Sequence, residues 1–193
     1  MADAFDPTRA PRLEAAARLE ALPRAVVVAL LRLVGDETVV DYGAGTGVYS
    51  VAIAAALPRG RLIAVEALAE LAGALRARLT PELAARVEVV ETDANQVPAP
   101  DGVADRVVMV DVLHHLYDQP AALAQVTRLL RSGGLIVVVD WADVERPVGP
   151  PPGHVLGLAR VREIVAGMGL AEREAHEPGT LLPYHLAVVA AKP

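Results

Sequence analysis

Two kinds of apolar pattern alternate along the chain. Short runs of consecutive aliphatic, mostly β-branched residues end at acids: TVVD at 38–41, RLIAVE at 61–66, VEVVET just before Asp93, and DRVVMVD at 105–111. LIVVVDW at 135–141 is a fifth run of the same kind. Their length and continuity predict strands buried on both faces, as in a parallel sheet. Between them lie segments in which apolar residues recur every three or four positions. These predict helices over about 11–22, 23–34, 48–57, 67–79, 118–130 and 155–168. Pro23, Gly35, Ser132-Gly133-Gly134 and Gly169 are their stop signals. In the first helix Leu13, Ala16, Ala17 and Leu19 share a face, with Arg12, Glu14, Arg18 and Glu20 mostly outside. Residues 1–10 read as a loose arm and 142–153, rich in Pro and Gly, as a rigid loop. The tail, 170–193, reads as two strands joined by a Gly/Pro turn, an antiparallel hairpin. The alternation predicts an α/β fold, a doubly wound, mostly parallel sheet with helices on both faces.

The strongest local signal is VVDYGAGTGVYS, Val39 to Ser50. A strand ends in Asp41, glycines follow at 43, 45 and 47, and a helix of small apolar residues begins. Glycines let the backbone turn tightly and approach a ligand, and the free amides of the helix start can donate to it. This is the layout of a nucleotide site. In such a sheet ligands bind beyond the carboxyl ends of the strands, and Asp41, Glu66, Asp93 and Asp111 all fall there. Glu66 follows Gly47 by nineteen residues, the interval expected of an acid that accepts both ribose hydroxyls. A nicotinamide fingerprint calls for a third close-packing Gly or Ala where this chain has Val48. A ring of acids also suits a cationic ligand better than a pyrophosphate.

Composition narrows the picture further. At 193 residues the chain is long enough for one domain with a real core. It has no cysteine, which excludes disulfides, thiolate metal sites and cysteine nucleophiles; no metal site is expected. A net charge of −6 argues against a nucleic-acid partner. The start lacks an apolar signal core, and AVVVALL at 25–31 is too short to span a bilayer. The expectation is a cytoplasmic protein without stable membrane insertion, monomeric or homodimeric.

Taken together, VVDYGAGTGVYS, VE at 65–66, TDANQVP, DVLHHLYDQPAAL and RSGGLIVVVDW resemble class I S-adenosylmethionine-dependent methyltransferases. The chain is most similar to the small ubiquinone/menaquinone-biosynthesis-like, or "type 11", branch, over about residues 36–193. The resemblance implies a Rossmann-like sheet of seven strands with the last inserted antiparallel. It also implies a helical segment, 1–35, covering the site of a single globular unit. S-adenosyl-L-methionine would be the cofactor and S-adenosyl-L-homocysteine the product.

The resemblance further implies that Gly43, Gly45 and Gly47 wrap the methionyl part, with the backbone of Tyr42 and Ala44 nearby and Asp41 ordering the loop. Glu66 would take the ribose hydroxyls and Ala67 would pack on the adenine. Asp93 would accept the adenine amine, with the Ala94 amide at the ring edge. Asp111 and Val112 would flank the methionine moiety, with the Asp111 carbonyl accepting from its amino group. His114 and His115, just past the fourth strand, are the candidate bases. Each has a plain structural alternative, packing under the next helix, as Asp118 has in capping it. His154, Tyr184 and His185 could line the acceptor side or be turn residues, and Trp141 could wall the acceptor or simply pack. The acceptor is expected to be a small, partly apolar molecule. A nicotinamide-dependent oxidoreductase and a noncatalytic scaffold of the same fold are the competing readings.

Overall fold

Strand alternation decides which core each residue joins. In the computed structural model, which describes residues 10–93, 95–116, 119–150 and 153–193, β1 (Thr38–Tyr42) buries Val39 on one face and Val40 on the other. The same division holds along β2 (Arg61–Glu66), β4 (Ala104–Val110), β5 (Leu130–Trp141) and β7 (His185–Ala191). With β3 (Val87–Glu91) and β6 (Ala171–His176) they make one seven-stranded sheet, ordered β3-β2-β1-β4-β5-β7-β6. Strands β1 to β5 pair in parallel, and β7 runs antiparallel to both β5 and β6.

Two helical layers cover the faces. On one, α3 (Arg24–Leu30) and α4 (Val48–Ala55) pack Val27, Leu30, Ile53 and Ala54 onto Val39, Val108 and Val137. On the other, α8 (Pro120–Leu129) and α9 (Leu158–Gly167) pack Val126, Leu129, Val161 and Val165 onto Val107, Ile136 and Val188. The strand order reverses between β1 and β4, so their carboxyl ends frame the switch-point crevice of the sheet. Because β7 is antiparallel, its first residue, His185, pairs with Trp141 and arrives at that same edge.

Several elements differ from the sequence expectation. The first predicted helix is two: α1 (Ala10–Leu13) and α2 (Ala16–Ala21), separated where Ala15 is extended. The break lets Glu14 pair with Arg78, the last residue of α5 (Ala69–Arg78), while Arg18 turns inward. Arg18, expected on the outside, is buried. Helix α3 ends four residues early because Arg32 takes a left-handed φ of 52°. Beyond it the Glu37 carboxylate accepts from the amides of Val34 and Gly35 at 2.7 and 2.9 Å. Two one-turn helices are additions: α6 (Pro81–Ala84), capped by Thr80, and α7 (Leu113–Leu116). Ser132-Gly133-Gly134, expected to close a helix, instead belongs to β5, where the pairing shifts register. The tail hairpin is as expected.

Glu37 fixes the entrance to β1. Burial pushes its pKa up, but the amides of Val34 and Gly35 outweigh this and leave it below the ordinary 4.5. Its contribution is therefore fully present at neutral pH and lost as pH falls through the depressed value. Glu37→Ala is expected to lower the unfolding free energy at pH 7 by about 2–4 kcal/mol in urea titrations, and by less near pH 3.

Candidate functional site

The site begins at the turn leaving β1. Gly43, Gly45 and Gly47 have φ of 82°, 58° and 80°, a left-handed conformation strained for side chains with a Cβ. The amides of Gly43 and Ala44 both donate to Val65 O at 2.9 Å, tying the turn to the end of β2. A Cβ on Gly43 would stand 2.5 Å from Val112, and one on Gly47 would stand 2.6 Å from Leu75. These positions are held to glycine by space as well as by φ.

Of the four predicted acids, Asp41 and Glu66 are buried around this turn, and the side chain of Asp111 is largely covered. Asp41 accepts from the Ser50 hydroxyl at 2.5 Å, so strand end and following helix are joined. Burial pushes its pKa up to about 6; the Ser50 bond opposes this and the charge of Glu66 adds to it. Glu66 accepts from the Gly45 amide at 2.8 Å and from the Leu68 amide at 2.9 Å. Asp111 has a left-handed φ of 56°. Its Oδ2 accepts from Arg18 Nε at 3.1 Å and Nη2 at 2.7 Å, while His185 Nε2 lies 3.2 Å from its Oδ1. Burial alone would raise the Asp111 pKa; Arg18 and His185 outweigh it and hold the carboxyl well below the usual range. Asp93, by contrast, is exposed and closes a turn with the Asn95 amide at 2.8 Å. Ala67 is exposed beside Glu66. Tyr42 is buried, its hydroxyl donating to Ala122 O at 3.3 Å. Ala94, Tyr117 and Asp118 lie outside the described residues.

A fifth strand-end acid was not singled out from the sequence. Asp140, fully buried at the end of β5, meets His114 Nδ1 at 2.6 Å and accepts from the His114 amide at 3.0 Å and the Trp141 amide at 2.7 Å. Burial lowers the His114 pKa, but the Asp140 carboxylate, helped by Asp111, raises it above the ordinary 6.5. The His115 ring packs against His114 at a tilt of 42°, centroids 4.0 Å apart. The signal for Asp140 was available: a lone acid in the apolar run LIVVVDW.

The neighbouring candidates sort as follows. His185 is buried against Trp141, centroids 4.0 Å apart, whereas His154 is exposed. Trp141 is 4% exposed, with Gly149 laid close on its ring and Arg146 beside it. Arg146 donates to the carbonyls of Ala142, Val144 and Pro150 and so fastens the Pro-rich loop over Trp141. Trp141 therefore packs as an anchor for that loop. Two open depressions, one beside residues 96–100 and one between α8 and α9, contain none of the strand-end acids.

The comparisons with known proteins agree with this geometry. The profile of the family described as "Methyltransferase domain" matches residues 40–138. A solved S-adenosylmethionine-dependent methyltransferase from Aquifex aeolicus superimposes with a TM-score of 0.88 at 26% identity, covering 97% of this chain and 98% of that one. Among curated relatives, the ubiquinone/menaquinone biosynthesis C-methyltransferase UbiE of Syntrophotalea carbinolica is 24% identical over 65% of this chain and 52% of its own length. The 27-O-demethylrifamycin SV methyltransferase of Amycolatopsis mediterranei is 35% identical over 47% of this chain and 34% of its own. The chain thus spans about half or less of the length of these curated relatives. It belongs to the methyltransferase-domain family, as a class I S-adenosylmethionine-dependent member of the type 11 branch. The nicotinamide alternative is not favoured. Among the described residues, no helix is long and apolar enough to cross a membrane.

The residues present fit S-adenosylmethionine. Among the described residues Glu66 is a buried carboxylate whose hydrogen bonds come from the backbone amides of Gly45 and Leu68, a donor set that suits an acceptor of ribose hydroxyls beside the glycine turn. The raised pKa of Asp41 gives a test. The folded carboxyl resists ionisation between about 4 and 6, so the fold loses stability as pH rises through that window. Asp41→Asn is expected to raise unfolding free energy by up to about 3 kcal/mol at pH 8. Thermal or urea unfolding at pH 5 should show a clearly smaller gain.

Proposed function

We propose that the protein transfers a methyl group from S-adenosylmethionine to a small, partly apolar acceptor by in-line displacement, with His114 as the base. The observation that carries this reading is the His114–Asp140 pair. Its contact through Nδ1 and a second bond to the backbone leave Nε2 as the ring nitrogen available for proton transfer. When bound, the cofactor supplies a methyl carbon made electrophilic by its sulfonium centre and leaves as the neutral thioether S-adenosylhomocysteine.

The chain's own residues then divide the work. Glu66 takes the ribose hydroxyls and Ala67 packs on the adenine. Asp93 and the Ala94 amide address the adenine edge. Gly43, Gly45 and Gly47, with the backbone of Tyr42 and Ala44, border the methionyl part, and Asp41 holds the turn through Ser50. Asp111 and Val112 flank the same part from β4. His114 accepts the proton that a hydroxyl, amine or acidic carbon loses as it bonds the methyl, and Asp140 holds the ring and stabilises the imidazolium. His115 packs beside it. Support for a small, partly apolar acceptor comes from the surroundings: Val112 follows β4 beside the glycine turn, and Arg146 is committed to loop carbonyls. The net charge of −6 disfavours a nucleic acid.

Two experiments test the reading. Calorimetry should show S-adenosylhomocysteine binding that Glu66→Ala weakens by about 1–3 kcal/mol; no binding to folded protein would sink it. Radiolabelled methyl transfer to cell extract, followed by product mass, identifies an acceptor. With that acceptor, kcat should rise with pH through the raised pKa of His114. His114→Asn should lower kcat by about 10²–10⁴-fold with cofactor affinity nearly unchanged. Asp140→Asn should move the rising limb to lower pH as well as lowering kcat. An unmoved limb would remove His114 from the base role.

A further inference from the structure

Arg18 is the least expected residue of this edge. It lies on α2, a helix of six residues, yet its side chain is 9% exposed. Its Nε and Nη2 both donate to one oxygen of Asp111, and Nη1 donates to Leu13 O at 2.8 Å. The guanidinium carbon stands 5.3 Å from the ring centroid of Tyr49, the second residue of α4. Leu13 is the nearest neighbour of Gly45, where a Cβ would meet its Cδ1 at 3.4 Å. The cation therefore lies between the glycine turn, the start of the following helix and the end of β4. A short helix that only had to cover an apolar crevice would be better served by an aliphatic side chain. Burying both members of an ion pair carries a desolvation cost that their attraction often fails to recover.

Two other arginines of this edge, Arg78 and Arg146, are committed elsewhere. Arg78 donates to Thr46 O and pairs with Glu14, and Arg146 holds three loop carbonyls. Arg18 differs in that both it and its carboxylate partner are buried, their side chains 9% and 8% exposed, at the end of β4, where another carboxylate can replace Asp111 on the guanidinium.

We propose that Arg18 recognises the α-carboxylate of the cofactor's methionyl group, and that the Arg18–Asp111 pair opens by exchange of like for like. The amino-acid end of S-adenosylmethionine carries one carboxylate and one ammonium. The internal pair carries the same two charges at the same edge. On exchange, the incoming carboxylate replaces Asp111 on Arg18, and the incoming ammonium replaces Arg18 beside Asp111. No buried charge is left unpaired at the end of it. The exchange makes Arg18 a specificity residue for the amino-acid tail, and because Arg18 belongs to α2, occupation of the tail subsite keeps that helix fastened over the glycine turn. This inference rests on the S-adenosylmethionine reading.

The test uses the full chain and three ligands in calorimetry: S-adenosylhomocysteine, its decarboxylated analogue, which keeps the ammonium, and methylthioadenosine, which lacks the tail. The wild type should bind S-adenosylhomocysteine about tenfold or more tightly than the decarboxylated analogue. Arg18→Gln should lose about 10–100-fold for S-adenosylhomocysteine, while the decarboxylated analogue and methylthioadenosine stay within about threefold. Arg18→Lys, which keeps the charge without the fork, should fall between and serves if Arg18→Gln does not fold. Equal wild-type affinity for the carboxylated and decarboxylated ligands overturns the proposal. So does an Arg18 variant that loses the same factor for all three. Folded wild type that binds none of the three overturns the cofactor reading itself, a result separate from a failure of the Arg18 assignment.

Discussion

Carboxylates buried at one edge of a sheet must each find a donor, and much of this structure follows from how that demand is met. Asp41, Glu66, Asp111 and Asp140 end or follow four strands, and none is freely solvated. Their partners come from different parts of the chain. Ser50 serves Asp41 from α4 and the Gly45 and Leu68 amides serve Glu66. Arg18 and His185 reach Asp111 from α2 and β7, and His114 and the Trp141 amide serve Asp140. An unpaired buried carboxylate would cost several kcal/mol. Satisfying the acids therefore ties the N-terminal helices, the glycine turn and the last strand to the same edge.

The two ends of the crevice are finished differently. Where the adenosine part of the cofactor is proposed to lie, Ala67 and Asp93 are exposed. Where the methionyl part is proposed to lie, Leu13 and Arg18 close over Gly45 and Asp111. An open end with the accepting carboxylates of Glu66 and Asp93 and a closed end of paired charges suit a ligand with hydroxyl and amine donors at one end and a zwitterion at the other. His114 pairs with Asp140, the residue before Trp141, onto which Arg146 fastens the following loop.

Strands and their order of burial were legible because β-branched runs and alternation are local signals. Strand β2 runs from Arg61 to Glu66, as its sequence suggests, and the glycine turn was readable because φ above zero restricts the residue type. What was not legible depends on contacts distant in sequence. Arg18 looked like an outer-face arginine because helical periodicity cannot report an ion pair 93 residues away. Its helix looked continuous because the break at Ala15 is fixed by Glu14 and Arg18 reaching different partners. His185 looked like a turn residue because only the antiparallel course of β7 brings it back to Trp141 and Asp111. Asp140 was hidden by its run: an acid before Trp141 reads as one more strand end until its contact with His114 is seen.

Asp111 lies between the two functions and limits how they can influence each other. Its charge helps raise the proton affinity of His114, and Arg146 opposes it. Were the cofactor's tail to meet Arg18 alone, Asp111 would be left unbalanced and His114 would bind its proton more tightly, the wrong direction for a base near neutral pH. An exchange in which carboxylate and ammonium arrive together keeps Asp111 paired throughout. The proton affinity of His114 is then set mainly by Asp140, whose partners take no part in the exchange. On these two proposals, the separation of the two pairs, Arg18 with Asp111 and His114 with Asp140, would let the site take up a doubly charged tail without disturbing the proposed base beside it.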